Sequence, residues 1–335
     1  MRDEMTTQAL NLPDAVDLDT PSIQPTREFE MCNALLDDHT ALERFYEDNG
    51  YLFFRRILAP GSITRARDEM LTIAAEVFGL VEKGDTEARW TGKPLQNWSE
   101  DSPVFAGISR RLVEHPANLA LLAKVLGEPT CMVPNVQYRL YPPNGPVTMV
   151  HQDGFYSPGV QGFKPLWIPL VPCPREVGGL MVAVGQHKRG YYHNVGKPAP
   201  FPIPAGVIDE NSWATIDYEP GDLLVVHPSS PHGGTPNQSD RLRVTLDTRV
   251  QAAANPSAFA GTVIAVTPDS VTLQSSDAAI GIITLKVSDS TFIRVLSPGR
   301  REPFAAFSSY TLPGMELLAV RDGERAVMLR CGTQP

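Results

Sequence analysis

Val147-Thr148-Met149-Val150-His151-Gln152-Asp153 ends an alternating apolar stretch on a His-x-Asp triplet. In an extended strand side chains alternate, so His151 and Asp153 share a face with Cα atoms about 6.6 Å apart, within reach of one ion, and Gln152 points the other way. Alone, such a triplet arises by chance in a chain with seven histidines; its company gives it weight. A third ligand has to arrive from another strand, and the end of Leu223-Leu-Val-Val226 offers two histidines. His227 closes the apolar run beside Pro228 and can serve as a cap or a packing residue. His232 precedes Gly233-Gly234, where the backbone can come close to a metal, and is the preferred ligand. Two histidines and a carboxylate with open positions form the facial triad that holds Fe(II) in non-heme oxygenases. The expectation is an oxygen-activating enzyme with His151, Asp153 and His232 as its metal ligands and catalytic residues.

Downstream, Arg241-Leu-Arg-Val-Thr-Leu-Asp-Thr-Arg-Val250 reads as a strand in which Leu242, Val244, Leu246 and Val250 alternate with Arg241, Arg243, Thr245, Asp247 and Arg249. Two placements stand open. The charged face is either solvated, as in many antiparallel sheets, or it lines a barrel interior near the metal. In the second case the Arg243 guanidinium can grip an acidic cosubstrate in a two-pronged pair, about 1.5–3 kcal/mol for each hydrogen bond to charge. Lysine does not reproduce that fork.

The pattern changes along the chain. Residues 1–25 are polar and proline-punctuated, and are expected to form a flexible arm without chemistry. A helical pattern runs from Thr26 to the stop at Asn49-Gly50, followed by a short buried strand at Tyr51-Leu-Phe-Phe54. Further helices fit Ser62 to Val81, Pro103 to Glu114 and Asn118 to Leu126. After Gly127-Glu-Pro129 the next 120 or so residues read as short strands between Pro- and Gly-rich turns. The strands expected are Met132 to Tyr141, Val147 to His151, Lys164 to Leu170, Gly179 to Val184, Thr215 to Tyr218, Asp222 to His227 and Arg241 to Val250. Helices first and strands after predict a mainly β, α+β layout: supporting helices on a double-stranded β-helix, the cupin-like jelly roll, over residues 26–251. Beyond the small-residue joint Ala252-Ala-Ala-Asn-Pro256, residues 258–335 read as a small accessory β module. Two hairpins are expected in it, one in 261–274 and one in 316–329. It holds no histidine, so packing, substrate shielding or homo-oligomer contacts are expected of it before catalysis.

Composition narrows the function classes. The 335 residues are 42% hydrophobic and 20% charged, with 31 prolines and 26 glycines, as in a soluble strand-and-loop protein. A formal charge of −9 and the absence of a clustered basic surface give no support to nucleic-acid binding. The first residues lack the order of a signal peptide, and no stretch reaches the roughly 20 apolar residues needed to span a bilayer. Cys32, Cys131, Cys173 and Cys331 form no Cys-x-x-Cys pair, which fits free thiols in a reducing, cytoplasmic setting rather than a disulfide scaffold.

Several ordered blocks carry a resemblance: Tyr141-Pro-Pro-Asn-Gly145 before His151-Gln-Asp-Gly-Phe-Tyr156, Gly185-Gln-His-Lys-Arg-Gly190, Gly221-Asp-Leu-Leu224, and His232 with Arg243 eleven positions later. Over roughly residues 30–250 the chain resembles the phytanoyl-CoA dioxygenase (PhyH) family of Fe(II)/2-oxoglutarate oxygenases. The resemblance implies that His151, Asp153 and His232 ligate Fe(II). It also implies that Arg243 binds the distal carboxylate of 2-oxoglutarate, that O2 is the second cosubstrate, and that Gln137 and Trp167 lie by cosubstrate or substrate. A carboxylate at Asp153, where related halogenases have a small residue, implies hydroxylation, desaturation or rearrangement. The chain departs from the family where Gly185-Gln-His187 replaces Gly-Ser-His, and where Gly234 stands in place of a frequent serine, whose contact Thr235 is expected to replace. Residues 258–335 lie outside the family pattern.

Phe155 and Tyr156 are candidates to close a substrate pocket, or else fill the barrel mouth. Nothing marks a coenzyme A site, so the substrate expected is a small natural-product intermediate. Two competing readings use the same residues. One is a non-catalytic jelly-roll binding or scaffold protein with a metal kept for stability. The other is a cupin-like metal enzyme that does not use 2-oxoglutarate, with Arg243 holding the substrate's own carboxylate.

Overall fold

The helical pattern at the start of the chain becomes a helix only after Asp38. That carboxylate accepts the Ala41 N–H at 3.0 Å and caps α1, His39–Asn49. Ahead of it, the segment expected to be helical instead adds two bridges, Arg27 to Ala214 and Met31 to Phe53, and a 3-10 turn at Asn33–Leu35. Gly50 ends the helix with φ +78°, and a Cβ there would strike Ser230 Oγ and lie 2.5 Å from His187 Nδ1, so glycine is required twice over. The strand β1, Tyr51–Phe54, is buried at every position. Pro60, whose missing N–H costs nothing at a helix start, opens α2, Pro60–Glu76. Then come α3, Ile108–Val113, and α4, Pro116–Leu126.

The computed structural model describes residues 23–95, 103–156, 162–192, 203, 206–277, 279–295, 300–302 and 307–331. Most of the expected N-terminal arm lies outside them.

From β2, Thr130–Tyr141, the chain is mostly strand. There follow α5, Asp153–Tyr156; β3, Lys164–Pro169; β4, Leu180–Ala183; β5, Trp213–Ala214; β6, Leu223–Val226; β7, His232–Gly234; and β8, Arg243–Ala252. They form a five-stranded sheet, β1-β6-β3-β8-β2, and a three-stranded sheet, β5-β4-β7. Side-chain alternation divides the large sheet's two faces. Leu166 and Ile168 of β3 and Val244 and Leu246 of β8 join Leu42, Met70 and Leu122 of the helices in the main apolar cluster. The opposite face, with Trp167, Arg243, Asp247 and Arg249, lines a cavity shared with Leu180, His232 and Gly234 of the small sheet. The predicted mainly β jelly-roll fold is what forms.

Two expected strands do not. Val147 to His151 makes a bridge only at His151, to His232, and otherwise meets β7 through the Gly234 N–H, which donates to Thr148 O at 2.8 Å. Thr215 to Tyr218 is reduced to the bridge of Tyr218 with Cys173, and the strand lies just before it, at Trp213–Ala214. The edge strand β2 is bulged between Val133 and Gln137, where Pro134 has no N–H to give the ladder.

After β8 come β9, Ala258–Thr267; β10, Ser270–Ser275; β11, Ile282–Lys286; β12, Phe292–Val295; β13, Arg300–Glu302; α6, Phe307–Tyr310; β14, Glu316–Asp322; and β15, Arg325–Cys331. Both expected hairpins, β9–β10 and β14–β15, are present. The seven strands form one sheet in the order β11-β10-β9-β14-β15-β12-β13, and a β11–β15 pairing closes five of them into a ring. Val263, Leu273, Leu285, Leu317 and Leu329 fill a separate apolar cluster. A third cluster, in which Val133 and Phe163 meet Ala258, Leu318, Val320 and Met328, joins this sheet to the first. Among the described residues no helix is long and apolar enough to cross a membrane.

Candidate active site

His151 and His232 are brought together by the backbone. Each N–H donates to the other's carbonyl at 2.9 Å, so the two residues face each other as a hydrogen-bonded antiparallel pair with ring centroids 4.3 Å apart. Gly233 and Gly234 make this possible. A Cβ on Gly233 would lie 3.2 Å from Val150 Cα, and one on Gly234 3.4 Å from Thr148 N. The glycines therefore serve the approach of β7 to the 148–150 segment rather than to an ion directly. Each imidazole is also held at Nδ1 by a carbonyl. His151 Nδ1 lies 2.8 Å from Met149 O and His232 Nδ1 lies 2.9 Å from Ser230 O. A carbonyl oxygen can only accept, so both Nδ1 atoms carry a proton and both rings turn Nε2 toward the site.

Asp153 completes the group by a route the strand argument did not foresee. It begins the α5 turn rather than continuing a strand, yet its Oδ1 comes to 3.4 Å from His151 Nε2. One ligand atom from each of His151, Asp153 and His232 lies within 4.8 Å of the others. Two ligands at right angles, each about 2.1 Å from an ion, sit about 3 Å apart, so this donor set fits one metal with little movement. Gln152 points away from it, as alternation predicted. It is fully buried, donating to Gly190 O at 2.9 Å and Ser229 O at 2.7 Å and accepting from Tyr192 N at 2.7 Å. It thereby fastens the triplet to two neighbouring loops, a role sequence reading missed.

The electrostatics favour ligation. Burial pushes the Asp153 carboxyl up, but the Arg249 charge, the hydrogen bond with His151 and the nearby His232 together hold it well below the usual carboxylate range. Burial, with the neighbouring His151, holds His232 down at about 4, so it stays neutral. Arg249 donates from Nη2 to Asp153 Oδ2 at 2.7 Å. Two residues back on the same strand face, Asp247 accepts from Arg139 Nε at 3.0 Å. Asp247 Oδ1 and Arg249 Nε and Nη1 are buried with no partner among the described residues.

Arg243 is 2% exposed and lines the same cavity. Its Nη1 donates to Thr235 O at 2.8 Å and its guanidinium lies 4.3 Å from the Tyr141 ring centre. No carboxylate pairs with it among the described residues, so a buried cation stands ready for a guest anion. Trp167 and Gln137 line the cavity too, and Gln137 Oε1 accepts from Arg139 Nη2 at 2.8 Å. Thr235 does not reach it: its hydroxyl accepts the Gly179 N–H at 2.8 Å, and only its carbonyl touches Arg243. Its side chain is thus engaged with the backbone of Gly179 rather than with Arg243.

His227 is apart from the triad, packed between the rings of Tyr46 and His187 at 5.2 and 4.8 Å, and burial holds it down at about 4. The side chains of Phe155 and Tyr156 lie outside the described residues. Arg139, Asp247 and Arg249 were not picked out as site residues. Their signal was the charged face of β8, which becomes readable once that face is known to point inward.

Comparison with known proteins agrees with this geometry. The chain is 31% identical over 280 residues to the 1-deoxypentalenic acid 11-beta-hydroxylase of Streptomyces exfoliatus, covering 76% of this chain and 93% of that protein. It is 24% identical to the peroxisomal phytanoyl-CoA dioxygenase of Homo sapiens, over 63% of this chain and 67% of that one. Among solved structures it is similar to the epimerase SnoN in complex with Fe3+, alpha ketoglutarate and nogalamycin RO, with 21% identity and a TM-score of 0.48, over 64% of this chain and 85% of that one. Residues 46–245 match the phytanoyl-CoA dioxygenase (PhyH) family. The chain belongs to that family and is an oxygenase dependent on iron and 2-oxoglutarate.

Proposed function

We propose that His151, Asp153 and His232 hold the iron, that Arg243 binds the distal carboxylate of 2-oxoglutarate, and that the rest of the cavity receives a small natural-product intermediate. That substrate is hydroxylated, desaturated or rearranged, with release of succinate and CO2. The observation that carries the reading is the convergence of two imidazoles, each held at Nδ1 by a carbonyl, and a carboxylate beside a buried guanidinium that has no counter-ion among the described residues. Bound iron, with 2-oxoglutarate as reductant, supplies the activation of O2. The chain's own groups do the rest. Met149 O and Ser230 O hold the rings, Arg243 orients the keto acid, and Trp167, Leu180 and Val226 give the cavity apolar walls that exclude water.

The 1-deoxypentalenic acid 11-beta-hydroxylases of Streptomyces exfoliatus and Streptomyces arenae, at 31% and 30% identity, support a small carboxylic acid of secondary metabolism over an acyl thioester.

Residues 26–251 form the catalytic unit and 258–335 an accessory unit with its own apolar cluster. Self-association, if the protein has it in solution, is assigned to the accessory unit, where Ile282 is 65% exposed; Ile282→Lys then shifts the sedimentation coefficient. Four free cysteines support a cytoplasmic setting. The test of the central reading is spectroscopic. Fe(II) and 2-oxoglutarate added without oxygen give a weak visible charge-transfer band, and admitting air gives succinate. Fully metallated protein that does neither refutes it.

A further inference from the structure

Arg249 touches the triad from the large sheet, and it divides the labour of one carboxylate. Its Nη2 donates to Asp153 Oδ2 at 2.7 Å, while Asp153 Oδ1 faces His151 Nε2 at 3.4 Å. The guanidinium is held where it is. Its side chain is 8% exposed, and strand register sets Arg249 between Val133 of β2 and Pro165 of β3. Neither neighbour carries a side-chain acceptor that could draw it away, and among the described residues its Nε and Nη1 have no other partner.

A carboxylate with both oxygens free can take two positions on an ion, whereas one with an oxygen already engaged takes a single position. A facial triad works by keeping positions open. We propose that Arg249 is a positioning residue of the metal site: by holding Oδ2 of Asp153 it offers Oδ1 alone to the ion and supplies the counter-charge for a buried carboxylate. This rests on the reading of His151, Asp153 and His232 as the iron site.

The sign of one effect separates alignment from mere proximity. A guanidinium that acted only as a nearby positive charge would repel a divalent ion, and its removal would tighten metal binding. A guanidinium that aligns a ligand gives the opposite result, and partners of metal ligands are typically worth about 10–100-fold in metal affinity.

The experiment uses Co(II), whose visible spectrum reports its ligand set, titrated into the full-length wild type, Arg249→Met and Arg249→Lys. We expect about 10–100-fold weaker binding and an altered spectrum for Arg249→Met. Arg249→Lys, which keeps a cationic donor, is expected to recover the wild-type spectrum and most of the affinity. A crystal structure of Co(II)-loaded wild type gives an answer that depends on no variant: Asp153 bound through Oδ1 only, with Oδ2 still on Arg249. Two-oxygen ligation by Asp153, Arg249 turned away, or Co(II) binding by Arg249→Met as tight as wild type overturns the proposal. Wild type that takes up no Co(II) overturns the iron-site reading itself, and the role of Arg249 with it.

Discussion

Arg243→Lys tests the cosubstrate assignment at its weakest joint. In the wild type one guanidinium nitrogen is already committed, Nη1 to Thr235 O at 2.8 Å, and the face of the group rests on Tyr141. A keto-acid carboxylate then uses the remaining fork. Lysine keeps the charge but has a single donor centre, so serving both Thr235 O and the guest costs one charge-assisted hydrogen bond, about 1.5–3 kcal/mol. At about 1.4 kcal/mol per tenfold, the Kd for 2-oxoglutarate rises about 10- to 150-fold. Loss of the Thr235 contact leaves a buried carbonyl without its partner and lowers stability by about 1–3 kcal/mol. The assay is an anaerobic titration of the Fe(II)-loaded protein with 2-oxoglutarate, followed through the charge-transfer band. Circular dichroism and a metal-binding isotherm verify that fold and iron site are intact. A Kd within twofold of wild type, with both controls normal, refutes the placement of the keto acid at Arg243.

Other perturbations have definite outcomes. His232→Ala lowers Fe(II) affinity by at least about 100-fold, whereas His227→Ala leaves metal binding and turnover measurable, since His227 packs against Tyr46 and His187; the reverse order in a metal titration would exchange their roles. The metal-free protein loses stability as pH falls from about 6.5 to about 4. Over that window the unfolded chain protonates His232 while the folded protein, with this group held at about 4, does not, a difference of about 3 kcal/mol; a urea midpoint that is flat or rises on acidification contradicts this. Asp222→Ala destabilises the fold by about 1–3 kcal/mol, because its buried carboxylate accepts from Arg55 Nη1 at 2.7 Å and from the N–H groups of Arg56 and Glu219 at 2.8 Å each, and its loss leaves those N–H groups without their acceptor. A denaturation difference below about 1 kcal/mol would show that this pair does not join β1 to β6 energetically.

Local chemistry made much of this protein legible in advance. Asn49-Gly50 stops a helix for a reason visible in the residues, and the hairpins at β9–β10 and β14–β15 announce themselves by alternation and turn residues. The ordered blocks around His151, Asp153, His232 and Arg243 carried the family. Where reading failed, long-range pairing decided. Val147 to His151 has strand-like residues but forms only one bridge to β7, and Asp153 reaches His151 from a helical turn. The bond from the Gly179 N–H to the Thr235 hydroxyl, 56 residues apart in the chain, had no local signal.

The sequence by itself determined that β8 has one apolar and one charged face, because alternation is a property of the backbone and needs no partner. It could not determine which face turns inward. That depended on Val244 and Leu246 joining one apolar cluster with residues of α1, α2 and α4, which left Arg243, Asp247 and Arg249 to line the cavity. The choice of His232 over His227 and the contact of Arg249 with Asp153, 96 residues apart in the chain, were likewise decided by tertiary structure. Both depend on strand register, and register is set by the packing of distant apolar surfaces, which no local pattern of residues encodes.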